Sequence, residues 1–125
     1  MARTLIPTVV ASYQESTDIQ TNASAVQVDS MNGMYFVNPI YQTVVLYVVN
    51  SSAMTSTNVT IPSVEDEAGR GNSSCNNINA VTVAVGETFM FGPLTARWWN
   101  QANGTVYVDF SATATGINVL AVQIA

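Results

Sequence analysis

From Gly86 to Gln123 the chain is cut at short intervals by residues that turn a backbone. In order come Gly86-Glu-Thr-Phe-Met-Phe-Gly92-Pro93-Leu94, Arg97-Trp98-Trp99-Asn100, Gly104-Thr-Val-Tyr-Val-Asp-Phe-Ser111 and Gly116-Ile-Asn-Val-Leu-Ala-Val-Gln123. Apolar and β-branched runs bounded by Gly, Gly-Pro and Asn-Gly read as strand, break, aromatic-rich loop, turn, strand, turn, strand. This punctuation rules out a long helix here and directs the chain to a small β-domain.

The same pattern extends upstream. Ala25-Val-Gln-Val-Asp29 and Met34-Tyr-Phe-Val37 flank Asn32-Gly33, and Asn-Gly supplies the positive φ angles of a tight primed turn, so the spacing predicts a hairpin. Thr43 to Asn50 and Ile117 to Ile124 are apolar on both faces, as strands covered on each side must be. Asn58 to Ile61 is a shorter strand stopped by Pro62, Val81, Val83 and Val85 alternate with small residues, and Phe89 and Phe91 carry a further strand. In the run after Gly104, Val106, Val108 and Phe110 face one way and Tyr107 and Asp109 the other. About eight short strands and no helical period predict an all-β fold, a single β-sandwich or jelly-roll-like barrel.

Two segments do not fit the strand pattern. Residues 1–23 are polar and aperiodic, with scattered Leu5, Ile6, Val9, Val10 and Tyr13, and read as an N-terminal arm preceding a domain at 24–125. The alternative is a first strand from Thr8 to Ser12 followed by a loop. Ser63 to Asn79 carries acids, glycines and a Ser/Asn run, a length of loop that in a compact domain is usually functional or disordered.

Composition narrows the function. A chain of 125 residues is one domain. Charged residues make up only 9%, against roughly 25% in an average soluble domain, so Ser, Thr and Asn must carry the solubility. There is no His and no Lys, one Cys (Cys75), and three cations, Arg3, Arg70 and Arg97. General acid–base work, Schiff-base chemistry and zinc ligation draw chiefly on the missing types, so an enzyme is disfavoured, and no cofactor and no metal are expected. A formal net charge of −5 repels phosphate backbones and disfavours nucleic acid as a partner. The longest apolar run, Val44 to Val49, is too short to span a bilayer and no leader pattern precedes the domain, so neither membrane insertion nor secretion by a cleaved signal is expected.

Several local clusters have a plain reading beside a functional one. Glu65-Asp66-Glu67 with Arg70 lacks the alternating spacing of calcium loops and suits a solvated loop tip or a recognition loop. Cys75 has no base to activate it. Asn-X-Ser/Thr triplets begin at Asn22, Asn50, Asn58, Asn72 and Asn103, as a chain so rich in these residues produces by accident. In Arg97-Trp98-Trp99-Asn100, adjacent Trp residues on an extended segment point to opposite sides, so one can be buried while the other joins Arg97 at a subunit interface; alternatively both plug the end of the sandwich.

The order of pieces from Gly86 to Gln123, with the start Met1-Ala2-Arg3-Thr4 and Pro7, resembles the head decoration (capsid cement) proteins of tailed bacteriophages. The resemblance covers about a third of the chain plus its first residues. It implies a structural virion protein, made in the host cytoplasm, that binds the outside of an assembled capsid and stabilises it, with the major capsid protein and further copies of itself, as a homotrimer, for partners. On that reading Leu5, Ile6, Pro7, Val9, Val10 and Tyr13 supply arm contacts to capsid or neighbouring subunits, and Arg97, Trp98 and Trp99 a subunit interface. The alternative is a carbohydrate- or receptor-binding β-sandwich of a virion, with Trp98, Trp99 or Tyr107 stacking on a sugar ring while Asn100, Asn103 and Asp109 exchange hydrogen bonds with it.

Overall fold

The computed structural model describes residues 2–11, 26–39, 43–63, 78–95 and 99–124. They form two mixed sheets that face each other as a sandwich and do not close into a barrel. The strands are β1 (Thr4–Leu5), β2 (Thr8–Ala11), β3 (Val26–Gln27), β4 (Met34–Val37), β5 (Thr43–Asn50), β6 (Thr57–Ile61), β7 (Ile78–Val83), β8 (Thr88–Phe91), β9 (Thr105–Phe110) and β10 (Ile117–Ile124). One sheet has the order β1-β4-β9-β6-β7; the other is β2-β10-β5-β8, with β3 also on β10. The first strand, only two residues long, is too short for any hydrophobic period to announce it.

The strand alternation in the sequence becomes the core. Phe36 and Met34 of β4, Val59 and Ile61 of β6, and Val106, Val108 and Phe110 of β9 point inward from the first sheet. Val44, Leu46 and Val48 of β5 and Ile117, Val119 and Ala121 of β10 meet them from the second. The outward residues Val45, Val49, Leu120 and Val122 are buried as well, which accounts for the two-sided apolar character of β5 and β10.

Only β2 to β3 and β6 to β7 stay within a sheet; every other connection crosses from one sheet to the other. The predicted hairpin around Asn32-Gly33 is therefore corrected. Its turn forms, with Gly33 at φ 73, but it carries the chain from β3, paired with β10, to β4, paired with β1 and β9. Burial decides this. Val28 and Met34 both enter the core, and they reach it from opposite sheets.

The segment expected to be a detached arm is described from residue 2 to residue 11, and there it is part of the sandwich. β1 runs parallel to β4 and β2 parallel to β10, with Ile6 between them fully buried at 0% exposure. The Ile6 N–H donates to Tyr35 O at 2.7 Å and Ala121 N–H donates to Pro7 O at 3.1 Å, so Pro7 marks the step from one sheet to the other. Ile6 is thus a core residue rather than an arm residue, and its side chain has no surface left to offer a neighbour. The alternative strand reading matches the placement of Thr8–Ala11. Tyr13 lies outside the described residues.

Candidate functional site

The outer face of the first sheet carries an open cleft with aromatic and polar walls. Strands β4 and β9 pair in the register Tyr35↔Tyr107, which places two aromatic side chains side by side on the face opposite the core. The inward neighbours Met34, Phe36, Val106 and Val108 are fully buried, so the pleat leaves Tyr35 and Tyr107 no choice but to face out. Together with Ala2, Arg3, Asn103 and Thr105 they line an open cleft of about 520 Å³.

Arg3 is held there by several contacts. Its Nη1 donates to Asp109 Oδ1 at 2.8 Å and to Met34 O at 3.1 Å, and its guanidinium carbon lies 4.1 Å from the centre of the Tyr107 ring. An arginine on an aromatic face gains attraction from the ring quadrupole while keeping its other N–H groups for partners. Gly33 makes this approach possible. A Cβ at that position would lie 2.6 Å from Arg3 Nη1 and 2.7 Å from Asp109 Oδ1.

The neighbouring Asp29 ties the first strand to this turn. Its Oδ2 accepts from Thr4 Oγ1 at 2.5 Å and from Asn32 Nδ2 at 3.0 Å, while Oδ1 accepts from the backbone N–H groups of Met31 and Asn32. The Thr4 hydroxyl first, then the Asn32 groups, hold the Asp29 carboxyl below the usual carboxylate range, because all of them donate to its ionised form.

Of the residues expected to contact a capsid, Leu5 and Val10 are exposed, at 50% and 56%. Pro7 and Val9 are half-buried. Trp99 is half-buried and packs against the core, and its backbone N–H donates to Thr95 O at 3.1 Å, a helical bond in place of the extended backbone that the sequence predicts here. Arg97 and Trp98 lie outside the described residues, as do Glu65, Asp66, Glu67, Arg70 and Cys75.

The residues expected to meet a sugar separate into two groups. Tyr107 and Asn103 line the cleft, and Asp109 adjoins it through Arg3. Asn100 is instead committed to structure. Its Nδ2 donates to Asn38 O at 2.9 Å and its Oδ1 accepts from Asn38 Nδ2 at 2.6 Å, fastening the chain before β9 to the end of β4. Asn38 is buried and also donates to Leu94 O at 2.9 Å. Arg3 and Tyr35 were not singled out as cleft residues from the sequence. Tyr35 carries a usable signal, since it alternates with Met34 and Phe36, but only the β4–β9 register reveals its partner.

Among the triplets starting with Asn, Asn50 is buried and its side chain bridges loops inside the molecule, so it offers no glycan site. Asn58 accepts from Thr82 Oγ1 at 2.8 Å, and Asn103 accepts from Thr105 Oγ1 at 2.6 Å. Among the described residues, no three His, Cys, Asp or Glu side chains come together as a metal site, and no helix is long and apolar enough to cross a membrane.

Fold and surface together define a β-sandwich with a polar aromatic cleft on one sheet. Comparison of the chain with protein-family models, with curated proteins and with solved structures finds no match.

Proposed function

We propose that this β-sandwich is a structural virion protein that binds the outer surface of an assembled phage capsid and stabilises it, acting as a homotrimer. The observation that carries the reading is the construction of one flank. Both sheets end there in strands from residues 4–11, β1 on one sheet and β2 on the other. That flank also displays Leu5 and Val10 to solvent. Outer strand edges offer unpaired N–H and C=O groups to a neighbouring chain, and exposed aliphatic side chains beside them add burial to such pairing. On the opposite flank, β7 is interrupted by a bulge between Val59 and Ile61 of its partner strand, which blunts that edge.

A protein that binds only the assembled shell stabilises it by mass action, and several copies engaging together add avidity without chemistry. Because Ile6 belongs to the core, truncating the N-terminus would damage the fold along with the contact surface. Leu5→Asp combined with Val10→Asp is the cleaner perturbation, since both positions are exposed. The wild-type protein is expected to scatter light as a trimer and to pellet with expanded capsids from its own source but not with unassembled coat protein. The double variant is expected to keep its melting temperature and lose most of its occupancy on capsids. Unchanged occupancy, or a wild-type protein that ignores capsids, would remove the proposal.

A further inference from the structure

We infer that the cleft on the outer face of the first sheet is a binding site for a neutral pyranose unit of a glycan. The inference does not rest on the capsid reading, although the two surfaces adjoin: Ala2 and Arg3 of the cleft lead into β1, and Tyr35 pairs with Leu5. Its size is in the range of small-ligand sites, roughly 300–1,000 Å³, with a volume of about 520 Å³.

The chemistry of the lining selects the ligand. A pyranose presents C–H groups on its faces and hydroxyls around its rim, each hydroxyl both donor and acceptor. The cleft offers matching pieces: the Tyr35 side chain as an aromatic surface, the phenolic hydroxyls of Tyr35 and Tyr107, and the Asn103 Nδ2 donors, its Oδ1 being held by Thr105. Arg3 and Asp109 complete the set. Among the described residues both hydrogen bonds of the guanidinium leave from Nη1, which leaves Nε and Nη2 as donors, and Asp109, about half exposed, retains lone pairs as acceptors. A fixed donor beside a fixed acceptor suits two adjacent hydroxyls of one sugar ring.

Charge excludes the acidic alternative. Asp109 neutralises Arg3 across 2.8 Å, in a protein whose formal net charge is −5, so a carboxylate or sulfate on the ligand would find its cation already paired. An apolar ligand is disfavoured in turn, because it would cover the remaining donors of Arg3 and Asn103 without satisfying them.

The test is a two-dimensional amide NMR titration of the intact protein with glucose, galactose, mannose, N-acetylglucosamine and its short oligomers, and with glucuronic acid as the acidic control. At least one neutral sugar is expected to shift the amides of Tyr35, Asn103, Thr105 and Tyr107 at millimolar concentration, and glucuronic acid to shift them less. Tyr35→Ala is expected to weaken that binding about tenfold by removing an aromatic contact. Asp109→Asn, which keeps the shape of the side chain while unbalancing the ion pair, is expected to weaken it for the neutral sugar and improve it for glucuronic acid. Dispersed spectra of both variants confirm that they are folded. No shift with any neutral sugar, shifts elsewhere on the molecule, binding of glucuronic acid alone by the wild type, or unchanged affinity in both folded variants would each overturn the inference.

Discussion

A single buried amide shows how a chain with few charges organises its loops. Asn50 ends the central strand β5, at 1% exposure, and every part of its side chain is used. Its Nδ2 donates to Thr55 O at 2.8 Å and Val83 O at 3.0 Å, and its Oδ1 accepts from Ser52 N at 3.1 Å and Ser52 Oγ at 2.6 Å. One residue thus closes the β5–β6 loop and joins it to the end of β7. A buried polar group left without its partner costs about 1–3 kcal/mol, and Asn50→Ala takes the side-chain partner from Val83 O and from the Ser52 N–H at once, while Thr55 O and the Ser52 hydroxyl keep each other. We expect the substitution to lower the unfolding free energy by about 3 kcal/mol, because some of the exposed groups will recruit water. Urea denaturation measures this directly, and a loss below about 1 kcal/mol would mean that the loops hold without the bridge.

At the scale of the element, the strand β7 shows what a hydrophobic period does and does not specify. Val83 is buried and Val81 packs against the core, as alternation requires. Yet Asn79 and Ala80 lie against the single residue Thr60 of β6, and Ala80 has φ 53, a left-handed conformation for a residue with a Cβ. The Ala80 N–H donates to Thr60 Oγ1 at 3.1 Å, so the bulge keeps its donor satisfied. An L-residue in that conformation costs about 1–2 kcal/mol, part of which glycine would give back as extra entropy of the unfolded chain. Ala80→Gly is therefore expected to stabilise the protein by about 0.5–1 kcal/mol, read as a higher thermal midpoint. A lower midpoint would show that the angle carries no strain.

Nothing in Val-Thr-Val alternation announces such a bulge. The same limit explains the Asn32-Gly33 turn: two strand-like runs around a turn signal identify a turn but not the sheet that receives the second run. Periodicity did make legible the all-β class, the inward face of β9 and the two-sided burial of β5 and β10, because each depends on the local pattern alone. The cleft was legible only in part. Tyr107 and Asn103 could be picked out near each other in the chain, whereas Arg3 and Tyr35 reach them through the pairing of β4 with β9 and the close approach allowed by Gly33.

For the whole molecule, the decisive question is whether the N-terminal residues belong to the sandwich or merely lie near it. Residues 4–11 contribute little to each sheet separately, two residues to one and four to the other. Their importance comes from joining both sheets on one flank, and Ile6 is the point at which that joint enters the core. Adjacent residues then have opposite fates, with Ile6 at 0% exposure and Leu5 at 50%. Removing a buried aliphatic side chain costs about 2–5 kcal/mol, through lost transfer energy and the cavity left behind. An exposed one changes stability by roughly ±0.5 kcal/mol or less. Ile6→Ala should therefore destabilise the entire domain by about 2–5 kcal/mol in one cooperative transition, while Leu5→Ala leaves the curve in place. A detached arm makes the contrary forecast: neither change would move the transition, because neither side chain would be packed in the free protein. Chemical denaturation of the two variants beside the wild type separates these outcomes. Loss in Ile6→Ala alone would show that residues 4–11 are packed in the free protein, leaving their outward side chains and free strand edges as the surface of this flank.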